Sequence, residues 1–210
     1  MLTALEALER LREGNRRFVA GVRSLESLMS QARRHEFVEN QEPFAVVLGC
    51  SDSRVPVEII FDQGLGDLFV IRVAGNVAAS SQIGSVEFAA ARFHTRLVVV
   101  LGHTRCGAVR ATLDELQRPS ASQTPHLRSI VDRVRPAVES LLTTELRHDP
   151  EALQREAVRA NVRVTASYLR HGSALLEALV QSGELLVVGA EYSLETGHVD
   201  FFDGVPHETA

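Results

Sequence analysis

At 210 residues, with 45% of them hydrophobic, the chain has the length and apolar content of one globular unit with a full core. A formal charge of −5 argues against nucleic acid or an anionic membrane surface as partner. All 22 basic residues are Arg, and the lack of Lys excludes Schiff-base lysine chemistry.

The chain shows no run near the ~18 apolar residues of a spanning helix and no basic-then-apolar leader. A cytoplasmic location is the expectation. Two cysteines are too few for a disulfide scaffold, so in a reducing compartment they are inert, metal-bound or catalytic.

Residues 2–19 predict an amphipathic helix, with Leu2, Leu5, Leu8 and Leu11 on one stripe. Gly14-Asn15 interrupts it, and Phe18 and Val19 extend its apolar content. It packs either on its own core or on a second subunit. The first clear strand is 45–50, and Pro56 then suits the first turn of a short helix through Ile60. A turn at Gly64-Leu65-Gly66-Asp67 precedes the strand 68–73. Arg72 inside that apolar run needs partners, in a structural ion pair or as part of a site.

Gln82–Phe93 predicts a helix, 96–102 the strongest strand, and Ala108–Leu116 another helix. Residues 119–124 form a loop. Thr124-Pro125 and Asp149-Pro150 each place an N-cap residue before Pro, starting helices over roughly 125–146 and 150–171. A helix at 173–181 and a strand at 184–189 follow. A hairpin then pairs 190–192 with 198–202 around Glu195-Thr196-Gly197. The strand–helix–strand–helix–strand alternation over 45–117 predicts an α/β fold. Its central, mostly parallel sheet has four to five strands, is flanked by helices and carries an N-terminal helical arm.

In such a sheet, ligands bind beyond the carboxyl ends of the strands. Cys50 ends one apolar strand, with Asp52 and Arg54 at the next alternate positions. His103 ends another, and Cys106 follows three residues later. Two thiolates and an imidazole suit Zn²⁺, and three protein ligands leave a fourth position open. Gly107 would let the chain turn closely behind the metal. A Cys–His nucleophile or a Cys50–Cys106 disulfide would leave Asp52 and Arg54 less well explained.

Cys50-Ser51-Asp52-Ser53-Arg54 with His103-Thr104-Arg105-Cys106-Gly107 resembles the β-class carbonic anhydrases, whose patterns are Cys-x-Asp-x-Arg and His-x-x-Cys. The similarity extends over much of 41–110, including 66–72 and 84–88, and more weakly to the N-terminal helix and 187–202. It implies one β-carbonic-anhydrase-like domain over 1–210: a helical arm (1–40), a zinc-binding α/β core (41–117), and a helical region with the last strands (118–210).

The resemblance implies one Zn²⁺ per subunit on Cys50, His103 and Cys106, and reversible hydration of CO₂ to bicarbonate and a proton by hydroxide held on zinc. Asp52 and Arg54 form the catalytic dyad. Asp52 either rests on Arg54, accepting the hydroxide proton, or leaves it to become a fourth zinc ligand that shuts the site. Gln41 matches a substrate-contacting Gln and Phe69 an apolar pocket residue. Phe88 stands where many plant-type members have Tyr. Some bacterial members form an inhibitory bicarbonate pocket with a Trp, where this chain has Val47, and with an arginine that Arg72 matches. That pocket is therefore expected to be absent. Homodimers or homotetramers with the cleft at the subunit interface are also implied. The same scaffold serves hydrolases of COS or CS₂, and a catalytically silent zinc-binding regulatory protein is the alternative from a different class.

Zinc held by three neutral histidines can bring its water to a pKa near ~7. Two thiolates and one imidazole cancel the metal's charge and make it a weaker acid. Activity is therefore expected to rise on the alkaline side of neutrality. A pH–rate profile already flat from about pH 6 upward would contradict that charge argument.

Overall fold

Uninterrupted apolar runs mark strands buried on both faces, and the computed structural model, which describes residues 2–32, 34–119 and 124–206, places them so. The strands are β1 (Ala45–Gly49), β2 (Leu68–Arg72), β3 (Leu97–His103), β4 (Leu186–Tyr192) and β5 (Val199–Asp203). They form one sheet in the order β2-β1-β3-β4-β5. The first four are parallel, and β5 returns antiparallel to β4 as the predicted hairpin. Every residue of β1 and β3 is buried.

Side chains of successive strand residues leave on opposite faces. Ala45 and Val47 join Leu97, Val99 and Leu101 in one core layer, against α1 (Ala4–Val19) and α3 (Val57–Ile60). Val46 and Leu48 join Val98 and Val100 in the other, against α4 (Ser80–Phe93), α7 (Pro150–His171) and α8 (Ala174–Gln181). A third cluster holds Cys50 and Cys106 among residues of α5 (Gly107–Gln117), α6 (Pro125–Val138) and α7. It lies beyond the carboxyl ends of β1 and β3, where an α/β sheet places its chemistry.

The structure corrects three expectations. The helix over 125–146 stops at Val138 and continues as 3-10 turns over 139–143 and 145–148. Pro136 stands in its last turn, where it has no N–H to give the carbonyl of Asp132, and the helix ends two residues later. A helix absent from the sequence reading, α2 (Leu25–Ala32), follows α1. Eight residues are too few to hold a helix alone; here the buried Asp62 fixes its start, accepting from Ser24 N–H and from Arg17 and Arg23. The 119–124 loop falls mostly outside the described residues.

Gly14-Asn15 is the third, for it docks α1 rather than interrupting it. Asn15 donates to the carbonyls of Ile60 and Gly197 and accepts from Val199 N–H. Of the two readings for this helix, the fold shows Ala7, Leu8 and Leu11 buried in the chain's own core. Among the described residues, no helix is long and apolar enough to cross a membrane.

A Cβ at Gly14 would lie 1.8 Å from the carbonyl oxygen of Phe61, a backbone atom that cannot rotate away. Gly14→Ala should therefore destabilise the protein by about 3 kcal/mol despite improving helix propensity. Urea unfolding checks this, and an unchanged midpoint would show that α1 does not dock here.

Candidate metal centre

Adjacent parallel strands leave their sheet at one edge, and β1 and β3 do so with Gly49 opposite Leu101. Cys50 follows β1 directly, His103 is the last residue of β3, and Cys106 is the N-cap of α5. The tight turn between His103 and Cys106 falls on Arg105, whose φ of 56° is left-handed. Gly107, the expected pivot, starts α5 with open space around it.

The two sulfurs and a ring nitrogen of His103 lie within 4.8 Å of one another, and all three residues are buried. No disulfide joins the cysteines. His103 Nδ1 sits 2.9 Å from the Thr104 carbonyl, so Nδ1 carries the proton and donates it there. That tautomer turns a lone pair on Nε2 toward the sulfurs, and Nε2 is buried without any hydrogen-bond partner. An orphaned buried nitrogen facing two sulfurs fits a metal ligand. The neighbouring Cys106 holds the Cys50 thiol below its usual range, and the same contact, with burial, pushes Cys106 up. Two soft sulfurs and an imidazole suit Zn²⁺.

Asp52 and Arg54 meet as expected. Arg54 Nε donates to Oδ1 at 2.9 Å and Nη2 to Oδ2 at 2.8 Å, while its backbone N–H also reaches Oδ1. The Arg54 guanidinium holds the Asp52 carboxyl well below the usual carboxylate range. Asp52 thus rests on Arg54, with Oδ2 3.9 Å from His103 Nε2. Arg72 is an exposed residue at the end of the edge strand β2 rather than a buried cation. It donates to the carbonyls of Cys50 and Asp52, at 3.1 and 2.7 Å, bracing the segment that carries both.

Gln41, Phe69 and Phe88 do not converge on this triangle within the chain. Gln41 is exposed in the segment before β1, beside a groove of about 1100 Å³ at the amino end of the sheet. At about 3.3 Å per strand residue, β1 separates that end from Cys50 by roughly 16 Å. Phe69 pairs with Val46, four residues before Cys50, and stacks with Phe88 and Phe93 at ring distances of 6.2 and 6.1 Å. Val47 is fully buried in the sheet.

Two supports escaped the sequence reading. Thr104 accepts from Leu194 N–H and donates to Glu195, which also pairs with Arg105 at 2.8 Å, so the β4–β5 hairpin clasps the loop between His103 and Cys106. Gly75 N–H donates to Cys50 Sγ at 3.4 Å. The Gly75-Asn76 dipeptide is a turn signal that could have drawn attention to this place.

A profile described as carbonic anhydrase matches residues 45–199. "Carbonic anhydrase 2" of Mycobacterium tuberculosis is 40% identical over 199 residues, covering 95% of this chain and 93% of that protein. A carbonic anhydrase of Mycolicibacterium smegmatis is likewise 40% identical, over 92% of this chain and 91% of its own length. Among solved structures, the β-carbonic anhydrase CafA of Aspergillus fumigatus superposes with a TM-score of 0.72 at 28% identity, covering 86% of each chain.

The donor set predicts one zinc per chain in the purified protein and loss of most of it in Cys106→Ser. Native mass spectrometry checks both. A metal-free wild type, or a Cys106→Ser variant that keeps its full zinc, would contradict the assignment.

Proposed function

Because this chain belongs to the β-carbonic anhydrase family, we propose that it catalyses the reversible hydration of carbon dioxide to bicarbonate and a proton, with Zn²⁺ held by Cys50, His103 and Cys106. The observation that carries this reading is the buried triangle of two sulfurs and an unpartnered His103 Nε2, with an ionised carboxylate beside it. Zn²⁺ bound there supplies a Lewis acid that makes water a nucleophile under mild conditions.

The chain's own residues do the rest. An ionised carboxylate only accepts hydrogen bonds, and Asp52 Oδ2 takes a single donor from Arg54, leaving acceptor capacity toward the site. Asp52 accepts the O–H of the attacking water there and so aims the oxygen lone pair at the carbon of CO₂. Arg54 keeps Asp52 ionised and, through two side-chain contacts, fixes its plane. Arg72 and the Glu195 clasp hold the two ligand loops so that Asp52 does not drift from the triangle. A purely structural metal site would have no use for an oriented acid.

Gln41, Phe69 and Phe88, remote from the triangle in their own chain, serve the site of a neighbouring subunit in a homodimer or homotetramer. Phe88, Leu25, Val22 and Leu5 are each more than half exposed, apolar surface that a second copy would cover.

Stopped-flow CO₂ hydration tests the reading. Asp52→Ala should lower kcat about 100-fold with zinc content unchanged, the usual range for a positioned acid–base group. Zinc-loaded wild type without hydration in mildly alkaline buffer would sink the enzyme reading. Light scattering on the same samples should report a dimer or larger.

A further inference from the structure

Beyond β2 the chain enters a turn, Ala74–Asn76, in which Gly75 (φ 72°) and Asn76 (φ 44°) are both left-handed and both buried. Two successive left-handed residues are uncommon, and Gly and Asn are the types that tolerate them. The conformation has a specific product: it presents Gly75 N–H to Cys50 Sγ. The seat is tight, since a Cβ at Gly75 would meet Ala108 Cβ at 3.2 Å.

The other polar group of Gly75 is held from behind. Its carbonyl accepts from Asn161 Nδ2 on α7 at 2.8 Å. Asn161 is 1% exposed and stands between Val158 and Val162 on the buried face of that helix. Its Oδ1 meets no donor, and Asn76 Nδ2 nearby in the chain meets no acceptor. A buried amide with half its capacity unmet costs stability, and what it gives in return is the hydrogen bond that satisfies the buried Gly75 carbonyl. Its one satisfied bond is the one that ends, through Gly75, at a ligand sulfur.

We infer that Asn161 is a positioning residue of the metal centre, which grips the Gly75 carbonyl and so keeps the Gly75 N–H on Cys50 Sγ. An N–H aimed at a thiolate draws charge from the sulfur, stabilises its deprotonated form and reduces its donation to the metal. Partners of ligands tune affinity and metal chemistry in this way. The inference rests on the reading of Cys50 as a zinc ligand.

The test compares wild type, Asn161→Leu and Asn161→Ser by two measurements that need no turnover. Zinc affinity is read by competition with a chromogenic chelator, and sulfur donation by the thiolate-to-cobalt charge-transfer band of the cobalt-loaded proteins. Asn161→Leu should bind zinc about tenfold more weakly and move the band to lower energy. Asn161→Ser, which keeps a donor, should recover part of both. A folded Asn161→Leu whose affinity stays within about twofold of wild type, with an unmoved band, overturns the role.

Should Asn161→Leu fail to fold, the cadmium-loaded wild type and Asn161→Ser decide. Scalar coupling from cadmium to the Gly75 amide proton should be present in the first and smaller in the second, and equal coupling overturns the inference. A wild type that binds no zinc removes the metal-centre reading and this one with it. A zinc-binding wild type with indifferent Asn161 variants removes only this one.

Discussion

In a parallel pair of strands, the hydrogen-bond ladder decides both which residues lie side by side and at which edge the two strands end together. Here it sets Gly49 against Leu101, and so brings the residues just past each to one place. Cys50 and His103 are 53 positions apart in the chain, yet their ligand atoms lie within 4.8 Å of one another. Full burial of β1 and β3 on both faces makes that register rigid. A slip of one residue would turn each strand's side chains to the opposite layer. The Cys50–His103–Cys106 triangle is therefore a consequence of core packing as much as of the residues that form it.

Charge around the triangle is arranged in steps. The two sulfurs and the orphaned Nε2 of His103 lie together in the interior, a donor set that favours a cation. Asp52, one shell out, is kept ionised by Arg54, while Arg72 spends its donors on carbonyls of the same loop rather than on the carboxylate. Two arginines so close to one acid thus have different tasks. Arg54 sets the charge and plane of Asp52, and Arg72 sets the position of the backbone that carries it.

The parts legible in the sequence were those whose signal is local. Strand-length apolar runs located β1–β4, N-cap and Pro pairs located the starts of α6 and α7, and two short motifs located Cys50, Asp52, Arg54, His103 and Cys106. What escaped depends on partners far along the chain. The eight-residue α2 is held by Asp62, 38 positions beyond Ser24. Gly14 resembled a helix breaker because the Phe61 carbonyl that demands it is 47 residues away. The helix expected over 125–146 is a local miss instead: Pro136 has no N–H to give the Asp132 carbonyl, and the helix ends two residues later.

By itself, then, the sequence determined the element types of the core and the chemistry of the ligand set. Alternation of strands with helices, and the donor preferences of sulfur and imidazole, act over a few residues each. The tertiary structure alone decided the rest: that Asp52 rests on Arg54, that Arg105 rather than Gly107 makes the turn, and that Gly75 and Asn161 stand behind Cys50. The last of these is settled by where buried polar groups find their hydrogen-bond partners, a choice made only when separate elements come within about 3 Å of one another in space.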